Sequence, residues 1–317
     1  MPRLPDVSIL VVSYNTRDLT VACLRSVFEQ TRGVKFEVIV VDNTSADGSA
    51  DAISTEFPAV KLIRLDENIG FARANNLAAK HASCEYLLLL NPDTLVLDGA
   101  VQKAVAFAAG RGPGPEIVGG RTFFGDGSLN ATSCHGRPTP WSMLCQATGL
   151  SAVFRSSALF NAEALGAWPR DSVREVDAVT GCFLLIPRRL WDELGGFDEA
   201  FFMYGEETDL CLRARRLGAR CVIDPDAKLV HYGGASEKVR SDKLIKLFRA
   251  KVQLARRHWH PAVVWFAPAM LRLWALTRLA ALGVLSAADR TKAAGFETWR
   301  DVWRRRAEFS RAAVTNG

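Results

Sequence analysis

Short runs of apolar residues punctuate the first hundred positions: Val7 to Val12, Glu37 to Val41, Val60 to Arg64 and Tyr86 to Leu90. Each is short and rich in Val, Ile or Leu, so each predicts a strand buried on both faces. The stretches between them are long enough for crossovers, and Thr20 to Gln30 and Asn75 to His81 read as helices. Together they predict a doubly wound α/β domain with a mostly parallel sheet. From Gly110 to about Asp171 the periods weaken, with punctuation at Gly112-Pro113-Gly114-Pro115, and loops with acceptor contacts are expected over the sheet edge. A second ordered block follows: an apolar strand Cys182 to Ile186, a helix start at Pro187-Arg188-Arg189, the stretch Gly195 to Asp198, and a helix from about Glu206 to Leu217 that Gly218 would cap.

Beyond Val239 the composition is helical, and Pro261 to Leu285 is apolar apart from Arg272 and Arg278. Two arginines near mid-membrane would cost roughly 2.5 to 3.5 kcal/mol each, and Pro268 would interrupt a span, so this segment is predicted to lie in the headgroup plane. The overall charge of +6 on 317 residues conceals an asymmetry. Residues 1–237 hold 23 Lys/Arg against 29 Asp/Glu, whereas residues 238–317 hold 17 against 5. The expected organisation is therefore an acidic body, 1–237, followed by a basic, apolar, helical extension, 238–317. A basic tail needs an anionic partner. Its arginines are interleaved with Ala, Leu and Trp, and the acidic body repels a polyanion, so an anionic membrane surface is expected and nucleic acid is not. A composition of 49% hydrophobic and 23% charged residues argues against wholesale disorder, a collagen-like fibre and a multi-span membrane protein. Seven scattered cysteines, odd in number and without a CxxC pair, together with the lack of a basic-then-apolar leader pattern, point to reduced thiols in a cytoplasmic protein.

Ligands of a parallel sheet bind at the carboxyl ends of its strands. Those ends read Ser13-Tyr14-Asn15, Asp42-Asn43-Thr44-Ser45 and Asn91-Pro92-Asp93, all polar. No GxxxxGK[ST] occurs and no GxGxxG follows the first strand, which argues against P-loop phosphoryl transfer and dinucleotide-dependent hydride transfer. Asp42-Asn43 can hydrogen-bond the edge of a pyrimidine or simply form an Asx turn. Asp93 can ligate a divalent ion that neutralises a diphosphate, or belong to a proline-initiated turn. Glu206-Glu207-Thr208-Asp209 crowds carboxylates into one helical turn, where repulsion and burial would raise one pKa toward general-base range; the alternative is complementation of the helix dipole. Asp209 and Arg213 are spaced for a structural ion pair. His231 is a nitrogen donor for the same metal or a structural group.

In order and spacing these pieces resemble the inverting, nucleotide-sugar-dependent glycosyltransferases of family 2. The match runs over about residues 7 to 235: Val7 to Asn15, Val41-Asp42-Asn43, Asn68 to Asn76, Leu87 to Asp93, Gly195 to Cys211, and His231 to Gly234. The subgroup most similar is that of the bacterial rhamnosyltransferase-like enzymes of surface polysaccharide synthesis. The resemblance implies a GT-A type fold with a nucleotide-binding half and an acceptor half. It also implies transfer of a sugar, with dTDP-rhamnose favoured over a UDP- or GDP-sugar, onto a lipid-linked or oligosaccharide acceptor at the inner face of the cell membrane. A nucleotide site of Ser13, Asn15, Asp42, Asn43, Asn68, Gly70, Arg73 and Asn91 follows, with Asp42 on the base. Asp93 and His231 would hold Mg2+ or Mn2+, and Glu207, or its neighbour Glu206, would be the catalytic base. Two departures stand out: the usual Asp-x-Asp metal motif is Asn91-Pro92-Asp93, and the usual Glu-Asp pair is Glu206-Glu207.

Overall fold

The computed structural model describes residues 6–112, 114–233 and 239–310; Pro113, Gly234 and the expected boundary at 237/238 lie outside them. The chain divides into two compact units. One comprises residues 1–135, 169–202 and 206–236, the other 136–168, 203–205 and 237–317.

In chain order the strands are β1 Val7–Ser13, β2 Phe36–Asp42, β3 Lys61–Arg64, β4 Tyr86–Leu90, β5 Thr94–Val96, β6 Glu116–Phe123, β7 Cys134–His135, β8 Arg174–Val176, β9 Ala178–Val179, β10 Phe183–Pro187 and β11 Arg220–His231. The helices are α1 Arg17–Gln30, α2 Ser49–Glu56, α3 Phe71–Lys80, α4 Ala100–Gly110, α5 Pro140–Thr148, α6 Leu150–Val153, α7 Arg188–Leu194, α8 Glu206–Arg216, α9 Arg240–His258, α10 Phe266–Ala288, α11 Ala293–Arg304 and α12 Arg306–Ser310.

The first unit is built on one mixed sheet in the order β3-β2-β1-β4-β10-β6-β11-β5, with β8 alongside β11. Its β3-β2-β1-β4 half is parallel, as the apolar runs predict, because side chains on both faces of β1 and β2 are covered; Ile9, Leu10, Val11, Ile39, Val40 and Val41 are all fully buried. β10 then runs antiparallel between β4 and β6. The stretch from Gly110 to Asp171 does not lie only at the edge. It contributes β6, an interior strand whose Gly119 and Gly120 weaken the apolar signal. Those glycines are there for close approach: a Cβ on Gly119 would meet Val179 Cγ1 at 2.6 Å, and one on Gly120 the Ala227 carbonyl at 2.5 Å. Gly218 follows α8 with φ +84°, as a cap requires.

The second unit is helical. Phe248 and Val252 of α9, Leu271 and Ala275 of α10, Val302 of α11 and Phe309 of α12 form its core together with Met143 of α5. Phe248 meets Phe309 edge-on and leans on Trp274, at centroid separations of 5.1 and 5.2 Å. Polar ties close the remaining gaps. Lys251 pairs with Glu163, Trp259 Nε1 donates to the Pro138 carbonyl at 2.9 Å, and Thr277 Oγ1 donates to that of Ala147 at 2.7 Å.

Candidate active site

Strand register gathers the polar strand ends at one edge. Ser13 lies opposite Asp42 and Asp42 opposite Arg64, while Val11 lies opposite Leu90, just before Asn91. The antiparallel strands complete the edge from the other direction. β10 begins beside the end of β4, with Phe183 opposite Leu90, and Asn91 N–H donates to the Cys182 carbonyl at 3.3 Å. β11 ends beside β5, with His231 opposite Thr94, and Tyr232 N–H donates to the Asp93 carbonyl at 3.1 Å.

At β1 the two predicted residues serve different ends. Ser13 is fully buried and its hydroxyl joins Thr20 Oγ1 at 3.1 Å, inside the fold. Asn15 has φ +52° and braces the neighbouring loop: its N–H donates to Ser45 Oγ at 3.0 Å and its Oδ1 accepts from Ala46 N–H at 2.8 Å. Asp42 takes up the turn reading of its motif. Oδ2 accepts from Ser45 N–H at 3.0 Å, forming the turn, whereas Oδ1 is buried with no hydrogen-bond partner. Asn43 holds the loop before α3 through Ile69 N–H at 2.9 Å and Asn68 Oδ1 at 2.9 Å; Asn68 Oδ1 in turn accepts from Gly70 N–H at 3.0 Å. Gly70 is pressed against Phe202, whose carbonyl accepts from Phe71 N–H at 2.9 Å. Arg73 is exposed and pairs with Glu199 at 3.3 Å.

Asp93 and His231 meet as predicted, with Nε2 to Oδ1 at 3.4 Å. Burial lowers the imidazole pKa, but the hydrogen bonds and charge of Asp93, with the Cys182 thiol, outweigh it and raise it to about 10. A proton thus holds the pair together. Nδ1 of His231 and Oδ1 of Asn91 are buried without hydrogen-bond partners. A divalent ion fits this donor set, since a carboxylate oxygen and an imidazole nitrogen 3.4 Å apart are both donor types such an ion takes. Binding it would displace the imidazole proton. Among the described residues no cluster of three or more His, Cys, Asp or Glu forms, so the remaining ligands would come from water or substrate oxygens.

The acidic turn opens α8. Glu206 is buried, Glu207 half-buried with its Oε2 enclosed and unpartnered. Thr208 Oγ1 lies 3.3 Å from Nε2 of His135 on β7, which pairs with β9 a few residues before Cys182. Asp209 is structural, as its spacing predicts: Arg213 Nε donates to Oδ2 at 2.7 Å and its other nitrogens donate to the Leu194 and Gly196 carbonyls. Cys182 and His135 escaped sequence reasoning. The apolar run Cys182 to Ile186 signals a strand but not its direction, and only an antiparallel direction brings its first residue to this edge.

Residues 8–163 match the family described as glycosyl transferase family 2. The chain is similar to O-antigen biosynthesis protein RfbC of Myxococcus xanthus, at 30% identity over 74% of this chain and 18% of that one. It is also similar to N-acetylglucosaminyl-diphospho-decaprenol L-rhamnosyltransferase of Mycobacterium tuberculosis, at 29% identity over 62% of this chain and 66% of that one. The chain spans only 18% and 28% of the length of two of the curated relatives it matches. Among solved structures, a mannosyltransferase from Pyrobaculum calidifontis in complex with GDP-Man and Mn2+ shares the fold, with TM-score 0.59 and 21% identity over 99% of this chain and 88% of that one.

Proposed function

We propose that this chain, which carries a glycosyl transferase family 2 domain, is an inverting transferase that moves a sugar from a nucleoside diphosphate to an acceptor hydroxyl in the synthesis of a surface polysaccharide. The observation that carries this reading is the set of buried, unpartnered polar atoms at one strand edge: Asp42 Oδ1, Asn91 Oδ1 and His231 Nδ1. Leaving such atoms unpaired costs about 1 to 3 kcal/mol each, and a polar ligand would recover it. Asp42 would accept from a base N–H, and the loop Asn68 to Arg73 would border the diphosphate. Asp93 and His231 would hold Mg2+ or Mn2+, which when bound neutralises charge on the departing diphosphate.

Glu207 takes the acceptor proton as the hydroxyl attacks the anomeric carbon from the side opposite the leaving group. Glu207 is half-buried whereas Glu206 is buried, so Glu207 is the more accessible to an acceptor, which supports that role over Glu206. One displacement needs no carboxylate nucleophile, so the configuration inverts. The favoured donor is dTDP-rhamnose and the favoured acceptor a lipid-linked saccharide at the cytoplasmic face of the membrane. Similarity to a decaprenol-dependent L-rhamnosyltransferase supports both. A panel of dTDP-, UDP- and GDP-sugars, assayed for hydrolysis without acceptor, tests the donor; turnover of none of them would overturn the reading.

A further inference from the structure

α10 has two unlike faces. At 100° per residue, Ala267, Leu271 and Ala275 form one stripe, and all three are buried in the core of the second unit. Arg272, Leu276, Ala280 and Val284 form a stripe on roughly the opposite side, and all four are exposed, Val284 at 75%. Trp265, 66% exposed, stands at the start of the helix in line with Arg272 and Leu276. A soluble surface helix places its polar residues outward, whereas this one turns Leu, Ala and Val outward.

Two observations identify what covers the stripe. No acidic residue occurs between Asp242 and Asp289, and residues 238–317 carry 17 basic against 5 acidic residues, so the partner is anionic. An indole beside an apolar stripe matches the polar-to-apolar boundary of a bilayer. By length and composition Pro261–Ser286 could instead cross a membrane, with mean hydropathy 1.4. Its inner stripe, however, is already packed against Phe248 and Val302, and Thr277 is tied to Ala147; spanning would dissolve that core. We infer that the outward stripe of α10, led by Trp265, docks in the plane of an anionic bilayer as a fixed face of the folded second unit. This deepens the membrane-side part of the proposed function by assigning its surface.

The test uses the full chain and vesicles of equal parts phosphatidylcholine and phosphatidylglycerol. Flotation should recover the protein with these vesicles and far less with pure phosphatidylcholine, and brominated lipid should quench Trp265, read as the difference from Trp265→Phe. Leu276→Glu and Val284→Glu, both solvent-facing, should each reduce partitioning on the order of tenfold at an unchanged circular dichroism spectrum. Unaltered partitioning in the double variant overturns the inference. So does resistance to alkaline extraction, which marks a span, or a dimer in solution that the same substitutions dissolve while partitioning persists. Transfer to a water-soluble acceptor should survive both substitutions. If flotation behaves as expected while no nucleotide sugar is turned over, the docking surface stands and the proposed chemistry falls.

Discussion

Gly70 offers a sharp test of how the loop before α3 is built. Its backbone sits at φ 84° and ψ 170°, a region open in practice only to glycine, and occupation by alanine costs about 1 to 3 kcal/mol. A Cβ there would also lie 2.7 Å from both the Phe202 carbonyl oxygen and its ring. Because one of the two is backbone that accepts from Phe71 N–H, it cannot swing aside, and the overlap adds about 1 to 3 kcal/mol. Gly70→Ala should therefore destabilise the protein by about 2 to 6 kcal/mol. Gly48→Ala is the matched control: φ is 81° and ψ 15°, and the nearest atom is Arg17 Nη1 at 4.0 Å, so only the left-handed penalty of about 1 kcal/mol applies. Urea denaturation separates them. With a slope near ~3 kcal/mol/M, a loss of about 3 kcal/mol lowers the midpoint by about 1 M. Equal midpoints for the two variants would refute the claim that contact with Phe202, rather than backbone sign alone, fixes this glycine.

Four other outcomes are expected. Glu207→Gln should lower transfer at least ~10²-fold while calorimetry shows nucleotide affinity unchanged; full turnover in Glu207→Gln with loss in Glu206→Gln would move the base by one residue. Asp93→Asn and His231→Ala should each raise the concentration of Mn2+ needed for half-maximal activity, and equal activity in excess chelator would remove that role. Asp209→Ala should cost about 3 kcal/mol in thermal or chemical denaturation, because Arg213 keeps its place without its carboxylate. Burial raises the Glu163 pKa, but Lys251 and Ser142 hold it below its ordinary 4.5. A depressed carboxylate stabilises the fold above its unfolded value, so the second unit should lose stability as pH falls below about 4.5, with a smaller slope in Glu163→Gln.

The parallel half of the sheet was legible because its strands are buried on both faces, and burial writes itself as unbroken Val/Ile/Leu runs such as Val7 to Val12. β6 was not, since Gly119 and Gly120 are required by neighbours distant in sequence, Val179 and Ala227, and look locally like turn residues. The same limit hid Cys182: strand direction is a tertiary property. Asp42 and Asp93 could be found from position alone, as polar residues ending apolar runs. What the sequence could not supply was their occupancy, namely that one oxygen of Asp42 closes a turn while the other stays unpartnered.

Placing β10 between β4 and β6 also has a kinetic consequence. β1 and β2 pair across a loop of roughly 22 residues, whereas β10 reaches β4 only by closing roughly 92, an entropic difference of about 1.3 kcal/mol, or nearly tenfold in the odds of encounter. β1, β2 and β3 can pair across short loops, whereas β4 and then β10 wait on longer closures and are expected later. Cys182 and His231 reach the strand edge only with β10 and β11, so that part of the edge is expected to be among the last to become native.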